Sequence, residues 1–255
     1  MSESFGNQCI WIVGASSGIG RALAEALVRE GSFVFVTARD ETKLQQLQQL
    51  YPSRIGILSG DITDADSLSH IRRSLYERTD VLDVLIQCAG ICEYDDGPKL
   101  DLAMYRRVFE VNFFAAIACA QIALPLLKAS KGRIVGVSSL ASVLPFPRAE
   151  AYGASKSALE YCLESLKVDL RDSAVSVTIV RPGFVDTPLT QNNDFSMPFL
   201  IDAEQAARKV VAGLKQGRAY INFPWQMSFS LRLLANFRAL WLRFIAPRLR
   251  KAAEF

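Results

Sequence analysis

Tyr152 and Lys156 are the two side chains whose chemistry and spacing first indicate a reaction. Residues four apart in a helix lie on one face about one turn apart, so the phenol and the ammonium would lie side by side if this segment is helical. A nearby fixed cation favours the phenolate and so lowers the pKa of a tyrosine from its usual value of about 10. The pair is a candidate acid or base, although Tyr and Lys at this spacing also occur on solvated helix faces with no catalytic role.

A glycine-rich segment near the N-terminus predicts a binding site for phosphate. The apolar run from Gln8 to Val13 predicts a buried strand, and a helical pattern follows the last glycine of the segment. Glycines let a ligand approach the backbone closely, and the amides of a helix N-terminus attract negative charge. A glycine turn that only joins strand to helix is the alternative. The candidate cofactor-binding residues here are Gly14, Ser16, Ser17, Gly18, Ile19 and Gly20.

The end of the second predicted strand indicates which dinucleotide the protein binds. Phe33 to Thr37 is an apolar run that predicts this strand, and Arg39 follows it. In dinucleotide folds an acid at this strand end binds the free 2′-hydroxyl of NAD, whereas an arginine accommodates the 2′-phosphate of NADP. Because Thr37 is not acidic, we expect NADP(H) to be favoured over NAD(H). Asp40 weakens this preference, and a solvated surface arginine is the alternative interpretation of Arg39.

Apolar runs of strand length alternate with amphipathic helical patterns along most of the chain. This alternation predicts an α/β fold whose seven-stranded parallel sheet is flanked by helices on both faces. The predicted strands are Gln8–Val13, Phe33–Thr37, Ile55–Ser59, Val81–Cys88, Arg133–Ser139, Ser176–Arg181 and Ala219–Phe223. The predicted helices include Lys43–Leu50, Thr63–Thr79, Leu102–Lys128 and Tyr152–Arg171, and Thr63 and Asp66 have the spacing of a capping box.

Ligands of such sheets bind beyond the carboxyl ends of the strands, so residues at those ends are candidates for the site. They are Gly14, Arg39, Asp61, Gly90, Ser139 and Gly183. We expect the dinucleotide-binding domain to occupy residues 1–223 and a C-terminal extension to occupy residues 224–255.

Composition excludes several classes of protein. With 255 residues, half of them hydrophobic, the chain is long enough for one large domain with a substantial core. His70 is the single histidine, which excludes histidine triads and multi-histidine metal sites, and we expect no metal. Five cysteines without zinc or redox spacing predict reduced thiols and a cytoplasmic location. The N-terminus lacks the pattern of a signal peptide, and nucleic-acid binding is not expected because the basic residues concentrate in an apolar tail.

The uncharged run from Val111 to Leu127 approaches the length that crosses a membrane, which is about 20 apolar residues. Asn112, Gln121 and Pro125 interrupt it. We therefore predict a buried helix of the domain at this position.

Several motifs now occur together, and the chain resembles the short-chain dehydrogenase/reductase family. The resemblance implies that the α/β fold is a single Rossmann-type, doubly wound domain. The glycine spacing, the Tyr-Lys pair and a serine thirteen residues before the tyrosine all match the family in the family's order, over about residues 8–223. One departure is visible, because the family commonly has Asn-Asn-Ala-Gly where this chain has Gln87, Cys88, Ala89 and Gly90. The matching positions are Gly14, Gly18, Gly20, Asp61, Asn112, Ser139, Tyr152, Lys156, Pro182, Gly183 and Thr187.

The resemblance implies roles for the catalytic residues. Tyr152 would protonate a carbonyl oxygen during reduction, or remove the proton in the reverse direction. Lys156 would lower the pKa of Tyr152 and hold the nicotinamide ribose, Ser139 would hydrogen-bond the substrate oxygen, and Asn112 would hold a water that links Lys156 to solvent. The implied cofactor contacts, besides the glycine loop and Arg39, are Asp61, Ile62, Ala89, Gly90, Tyr152, Lys156, Pro182, Gly183, Val185 and Thr187.

The substrate is expected to be a small carbonyl compound or alcohol of apolar character. Apolar residues dominate the segments 140–150 and 184–201, and Phe195–Leu200 lies where the family has a mobile lid. The candidate substrate contacts are Ser139, Leu140, Phe146 and Phe184. The helices that contain Leu102 and Tyr152 resemble the pair that dimerises in the family, which implies a homodimer or homotetramer.

The C-terminal extension has the pattern of an amphipathic helix. Its apolar residues fall largely on one helical arc, with two basic residues on the opposite side and three more after Pro247. Such a helix can lie in a membrane surface, pack on a partner subunit or cover the protein's own pocket. A peripheral contact with anionic membranes is therefore one of three interpretations. The apolar residues are Leu233, Leu234, Phe237, Leu240, Trp241, Phe244 and Ile245, and the basic ones are Arg232, Arg243, Arg248, Arg250 and Lys251.

Two classes of function are compatible with these patterns. The first is an NADP(H)-dependent oxidoreductase, and the second is a non-catalytic dinucleotide-binding or membrane-associated scaffold that retains the fold. A scaffold would be expected to lose Ser139, Tyr152 or Lys156. The chain keeps all three, which favours the enzyme.

Overall fold

The computed structural model describes residues 5–95, 99–191 and 193–249, and strands alternate with helices within them. The predicted basic residues Arg250 and Lys251 lie outside the described residues. The strands are β1 (Cys9–Val13), β2 (Phe33–Thr37), β3 (Ile55–Ile57), β4 (Val84–Gln87), β5 (Arg133–Val137), β6 (Ser176–Pro182), β7 (Val185–Asp186), β8 (Ile201–Asp202) and β9 (Tyr220–Phe223). The helices are α1 (Gly18–Arg29), α2 (Glu41–Leu50), α3 (Ala65–Tyr76), α4 (Leu102–Phe109), α5 (Ala115–Ser130), α6 (Glu150–Asp169), α7 (Ala203–Lys215), α8 (Trp225–Ala235) and α9 (Arg238–Leu240).

The main sheet has seven parallel strands in the order β3-β2-β1-β4-β5-β6-β9, which confirms the predicted doubly wound fold. The chain runs outward from β1 to β3 and then returns to β4 on the other side of β1. This reversal opens a crevice at the carboxyl ends of β1 and β4, which is where ligands of such sheets bind.

Helices cover both faces of the sheet because the central strands are apolar on both sides. Ile10, Trp11, Ile12 and Val13 of β1 are all fully buried. In the sequence, a parallel strand that is buried on both faces is a continuous apolar run of this kind. Helices α1, α2 and α7 bury leucines and valines on one face, and helices α3, α5 and α6 bury theirs on the other.

The predicted helix from Leu102 continues to Ser130, but a wider π-helical turn at Glu110–Phe114 divides it into α4 and α5. By length and composition alone this helix could cross a membrane, and 44% of its most apolar window is buried within the fold. Its buried side includes Cys119 and Ala123, which pack in the core beneath the sheet. These contacts agree with the prediction of a buried helix in this domain.

The predicted capping box at the start of α3 is wrong. Asp64 is the N-cap residue, and its carboxylate accepts a hydrogen bond from the amide of Ser67 at 2.8 Å. The hydroxyl of Thr63 instead donates to Asp61 at 2.7 Å. An aspartate one residue later competes successfully because its carboxylate is a stronger acceptor for the first-turn amides, and the helix macrodipole favours its charge.

A second, two-stranded parallel sheet was not predicted. Its strands β7 and β8 pair Val185 with Ile201 and Asp186 with Asp202. Two-residue strands carry too little apolar pattern to stand out in a sequence. The pair brings together the two ends of the segment 187–200, which we call the lid after the mobile lid that the family resemblance implies at Phe195–Leu200.

The C-terminal extension is not one continuous amphipathic helix. Helix α8 ends at Ala235, and the backbone departs from helical geometry at Phe237, with φ of −114° and ψ of 44°. Helical turns resume from Arg238 to Leu249. One face packs on the domain, because Leu231, Trp241 and other apolar residues of the extension form a cluster with the loop that follows β5.

This packing predicts a large difference between two tryptophans of the extension. Trp241 is 3% exposed and Trp225 is 71% exposed. We expect Trp241→Ala to lower the free energy of unfolding by about 3–5 kcal/mol, because it leaves a cavity among packed side chains. Trp225→Ala, the matched control, should change it by less than about 0.5 kcal/mol. Denaturant unfolding of both variants measures the difference, and equal losses would contradict the described packing.

Candidate active site

The four predicted catalytic residues come from three elements that meet at the carboxyl end of the sheet. Ser139 lies two residues beyond β5, Asn112 lies in the π-helical turn between α4 and α5, and Tyr152 and Lys156 lie in the first turns of α6. The ammonium of Lys156 is 5.9 Å from the centre of the Tyr152 ring. The helical spacing of the pair therefore produces the predicted juxtaposition.

Lys156 is a buried cation. It is 4% exposed, and its Nζ donates a hydrogen bond to the backbone carbonyl of Val137 at 3.0 Å. Desolvation lowers the pKa of Lys156 to about 8, against the opposing effects of Cys88, Cys92 and Glu160. Near neutral pH the side chain is therefore mostly an ammonium, but one that can exchange its proton.

The predicted lowering of the Tyr152 pKa is wrong for the described structure. Burial raises the pKa of Tyr152 above its usual value, Cys92 adds to the increase, and a hydrogen bond with Ser139 acts in the opposite direction. Desolvation is the largest effect because a phenolate loses its hydration in this environment. Tyr152 consequently holds its proton at neutral pH, as a general acid must.

Asn112 has its side-chain contacts inside the protein. Its amide group donates to the carbonyl of Ile91 at 2.9 Å and to the hydroxyl of Ser155 at 3.0 Å, and its oxygen accepts from the Ile91 amide at 2.8 Å. These bonds clamp the segment after β4 to helix α6. The role of Asn112 in holding a water stays a prediction, whereas its positioning contacts are direct.

Ser139 begins a short 3₁₀ turn, where its hydroxyl accepts a hydrogen bond from the amide of Ala141 at 3.1 Å. Behind it lies a polar chain that the sequence did not reveal. Ser142 donates to the carbonyl of Ser139 at 2.7 Å and also bonds the carboxylate of Glu160. The carboxylate of Glu160 in turn accepts two hydrogen bonds from Arg181, at 2.7 and 2.9 Å.

Glu160 and Arg181 are 10% and 11% exposed, so this pair is nearly buried. The guanidinium of Arg181 also lies over the ring of Tyr220, 4.9 Å from its centre. The only signal in the sequence is that Glu160 lies four residues after Lys156, on the same helical face. The pair fixes the backbone that carries Ser139, so we regard both as positioning residues.

The glycine segment forms a cradle at the start of α1. Gly14 has φ of 88°, and a Cβ there would lie 2.5 Å from the amide nitrogen of Ala89. A Cβ on Gly18 would lie 3.0 Å from the Thr187 methyl group. The cradle therefore brings together the carboxyl ends of β1 and β4 and the segment after β6, as predicted.

The helix N-terminus in this cradle is suited to phosphate. Ser17 is the N-cap residue and makes no side-chain cap, and the first turn of α1 contains no acidic residue. Amides left without a side-chain acceptor can bind an anion. Ser16 and Ser17 are partly exposed beside them, whereas Ile19 packs on the core and can contribute only through its backbone.

The adenosine end of the crevice contains Arg39 and Asp61. Burial would raise the pKa of Asp61, but hydrogen bonds from Thr63 and the charge of Arg39 outweigh it, so the pKa is lowered. Asp40 caps α2 by accepting from the Lys43 amide at 3.1 Å. The carboxylate of Asp40 is thus used as the N-cap of α2. Ile62, which follows Asp61, is buried in the core.

The departure at Gln87 and Cys88 has a local explanation. Gln87 donates to the backbone carbonyl of Ala116 at 3.1 Å, which ties β4 to α5. Cys88 lies under the glycine loop, because a Cβ on Gly20 would be 3.2 Å from the Cβ of Cys88. Desolvation raises the pKa of the Cys88 thiol to about 12, so it packs as a small neutral group.

Leu140 does not line an open pocket, contrary to prediction. It is 1% exposed and packs in the cluster with Leu144, Leu231 and Trp241 of the extension. Phe146 is partly buried against the same tryptophan, with ring centres 5.2 Å apart. The extension thus covers the loop after Ser139. A membrane contact, a partner contact and a cover over the pocket all stay predictions for it.

Aromatic residues of the lid form the apolar side of the site. Phe195 stacks edge-on against both Phe184 and Tyr94, with ring centres 5.9 and 5.8 Å apart. Arg148 fastens the lid by pairing with Asp194 at 2.7 Å. Among the described residues, no cluster of three or more histidine, cysteine or acidic side chains could hold a metal ion.

The segment after β6 is held from two sides. Thr190 donates its hydroxyl hydrogen to the Val185 carbonyl at 2.6 Å, and the Gly183 amide donates to the Phe223 carbonyl at 2.7 Å. A Cβ on Gly183 would lie 2.8 Å from Pro224, where the extension begins. Pro182, Gly183, Val185 and Thr187 therefore form one rigid edge facing the cradle.

A doubly wound parallel sheet with a glycine cradle at its switch point and a Tyr-Lys pair beyond β5 defines a nucleotide-binding oxidoreductase of the Rossmann class. Residues 8–196 match the short chain dehydrogenase family, and the chain belongs to that family.

Two relatives cover most of this chain. An uncharacterized oxidoreductase of Myxococcus xanthus is 36% identical over 226 residues, which span 87% of this chain and 89% of the relative. The 11-beta-hydroxysteroid dehydrogenase A of Sesamum indicum is 30% identical over 244 residues, which span 88% of this chain and 70% of that protein.

Two solved structures have the same fold. A short chain dehydrogenase from Burkholderia cenocepacia in complex with NADP is 25% identical, with a TM-score of 0.83 over 95% of this chain and 99% of that chain. A short chain dehydrogenase/reductase from Burkholderia phymatum in complex with NAD is 20% identical, with a TM-score of 0.84 over 93% of this chain and 96% of that chain. Relatives of this fold therefore bind either dinucleotide.

The buried ion pair behind Ser139 leads to a stability prediction. Glu160→Gln removes the charge that compensates Arg181, and breaking such a pair costs about 3–5 kcal/mol. We expect a loss near the lower limit, since Glu164 remains 3.6 Å from Arg181. Glu164→Gln is the matched control, because its side chain is 45% exposed, and it should cost less than about 1 kcal/mol. Chemical denaturation measures both, and similar losses for the two variants would contradict the role of Glu160.

Proposed function

We propose that this protein is an NADP(H)-dependent oxidoreductase that interconverts a carbonyl and an alcohol on an apolar small molecule, with Tyr152 as general acid and base. The observation that carries the proposal is the meeting of Tyr152, Lys156 and Ser139 at one edge of the sheet, beside the glycine cradle. A bound nicotinamide supplies or accepts the hydride. The residues of this chain position the substrate and move the proton.

The roles of the side chains follow from their environments. Ser139 hydrogen-bonds the substrate oxygen and stabilises the charge that develops on it. Tyr152 donates its proton to that oxygen, and its raised pKa keeps the proton on the phenol until the oxygen gains negative charge. Lys156, with a pKa lowered to about 8, supplies the positive field and a route for proton replacement.

The residues around the crevice fit a dinucleotide. The uncapped N-terminus of α1 would hold the phosphates, and the edge from Pro182 to Thr187 would hold the nicotinamide side. Arg39 supports the preference for NADP(H), because its exposed cation lies close enough to Asp61 to affect that carboxylate. A solved relative in complex with NADP supports it further, although another relative binds NAD.

The apolar substrate class is supported by the aromatic lining of Tyr94, Phe184 and Phe195. The name of the sesame relative, a hydroxysteroid dehydrogenase, is consistent with a bulky apolar alcohol or ketone. We also propose a homodimer or homotetramer that uses α5 and α6. Phe114, just before α5, and Tyr161 and Val168 in α6 are 54%, 77% and 72% exposed. Large apolar side chains are usually covered in an assembly.

Five free cysteines among the described residues support a reducing compartment, and we propose the cytoplasm. Burial raises the pKa of the thiols of Cys92 and Cys119 to about 11 and about 12. Thiols in this state are poor nucleophiles and do not compete with the chemistry of Tyr152.

Tyr152→Phe tests the proposed chemistry. The change removes one hydroxyl and leaves the ring, so we expect a loss of kcat of at least about a hundredfold from the missing acid, with NADPH affinity nearly unchanged. Steady-state reduction of a panel of apolar ketones, aldehydes and quinones, together with fluorescence titration of NADPH, measures both. Tyr94→Phe is the control for loss of a nearby phenol. Substantial residual turnover in Tyr152→Phe would exclude Tyr152 as the acid.

Arg39→Ala tests the cofactor preference. If Arg39 binds the 2′-phosphate, the variant should lose at least about tenfold in affinity for NADPH and almost nothing for NADH, since only NADPH carries that group. Titration of both cofactors into both proteins measures the difference. Equal changes for the two cofactors would mean that Arg39 is only a surface charge.

A further inference from the structure

The C-terminal extension, residues 224–249, has two faces in different environments. On the inner face Leu231, Trp241 and Ala246 are each less than 9% exposed and pack with Leu140 and Leu144. The indole nitrogen of Trp241 also donates to the carbonyl of Pro145 at 2.8 Å. This face is fully used by the fold, and it fixes the orientation of the extension.

The outer face carries a row of large apolar side chains, which we name the apolar stripe. Its members recur at intervals of three or four residues, so within each helical piece they project on one side. The stripe consists of Trp225, Phe229, Leu233, Phe237, Leu240 and Phe244, which are 71%, 64%, 50%, 54%, 52% and 52% exposed. Isolated exposed apolar residues are common, but six of them within the segment 225–244 mark an interaction surface.

Positive charge accompanies the stripe. Between residues 224 and 249 the sequence contains four arginines and no acidic residue. All four are exposed, and none forms an ion pair with another described residue. They are Arg232, Arg238, Arg243 and Arg248.

This combination selects one class of partner. Apolar and aromatic side chains enter the boundary between headgroups and acyl chains, while arginines contact lipid phosphates. A second copy of this chain would bring four more arginines to the same contact, with no acid in this segment to compensate them. We propose that the outer face of the extension docks on an anionic lipid bilayer.

Docking would place the substrate site close to the lipid. The extension starts against Gly183 and covers the loop that follows Ser139. An apolar substrate dissolved in the bilayer would then reach the site without crossing much water. This consequence for substrate supply rests on the proposed function, whereas the docking itself does not.

The first test is co-sedimentation of the intact protein with vesicles. We expect binding to vesicles of phosphatidylcholine with 30% phosphatidylglycerol to be at least about tenfold tighter than to phosphatidylcholine alone, and to weaken at high salt. Phe229→Ser with Leu233→Ser should abolish binding, and Arg232→Gln with Arg238→Gln should weaken it about tenfold or more. The matched controls Leu50→Ser with Val81→Ser and Arg72→Gln with Arg73→Gln should bind like the unmodified protein.

The second test uses the position of Trp225. Trp11 and Trp241 are 0% and 3% exposed, so a change in tryptophan emission on adding vesicles reports mainly on Trp225. We expect a blue shift with anionic vesicles, which Trp225→Phe removes while retaining most of the co-sedimentation.

Three results would overturn the proposal. They are failure of the intact protein to bind anionic vesicles, equal binding by the stripe variant and its control, and a stripe variant that changes only the oligomeric state in sedimentation velocity. The last result would assign the face to a second copy of the chain. All of these measurements are made without substrate, so they distinguish failed docking from a wrong proposed function.

Discussion

The candidate site depends on keeping the ammonium of Lys156 out of water. Desolvation alone disfavours a buried cation, and this explains why the lysine has a carbonyl acceptor at Val137 and a pKa of about 8. Its neighbours must also be small. A Cβ on Gly90 would lie 3.2 Å from both the Lys156 ammonium and the Asn112 oxygen, so the glycine after β4 leaves the space that the cation occupies. Asn112, in a widened turn, borders the same cation, and the carboxylate of Glu160 acts to raise the pKa of Lys156.

Local patterns in the sequence predicted those features that depend on near neighbours along the chain. The apolar run of β1 and the glycines after it predicted both the buried strand and the cradle, because strand burial and backbone approach are encoded residue by residue. The Tyr152 and Lys156 spacing fixed their juxtaposition for the same reason.

Other properties depend on residues that only the fold brings together. Burial and Cys92, sixty residues earlier, raise the pKa of Tyr152. The prediction considered only Lys156, one helical turn away, and therefore expected a lowered pKa. Leu140 and Trp241 lie in one apolar cluster although they are about a hundred residues apart in the sequence. Leu140 is therefore buried by the extension and does not face an open pocket. The break at Phe237 is equally invisible in an apolar repeat, since the repeat continues across it.

The C-terminal extension covers the loop after Ser139, and this has a consequence for protein synthesis. Trp241 and Leu231 are translated after all seven strands of the main sheet, yet they bury the loop that follows β5. During synthesis the glycine cradle, the Tyr-Lys pair and all seven strands therefore leave the ribosome before the residues that cover this loop. A nascent chain would thus acquire the means to bind a nucleotide before it acquires a shaped substrate site, and selectivity would be the last property to mature.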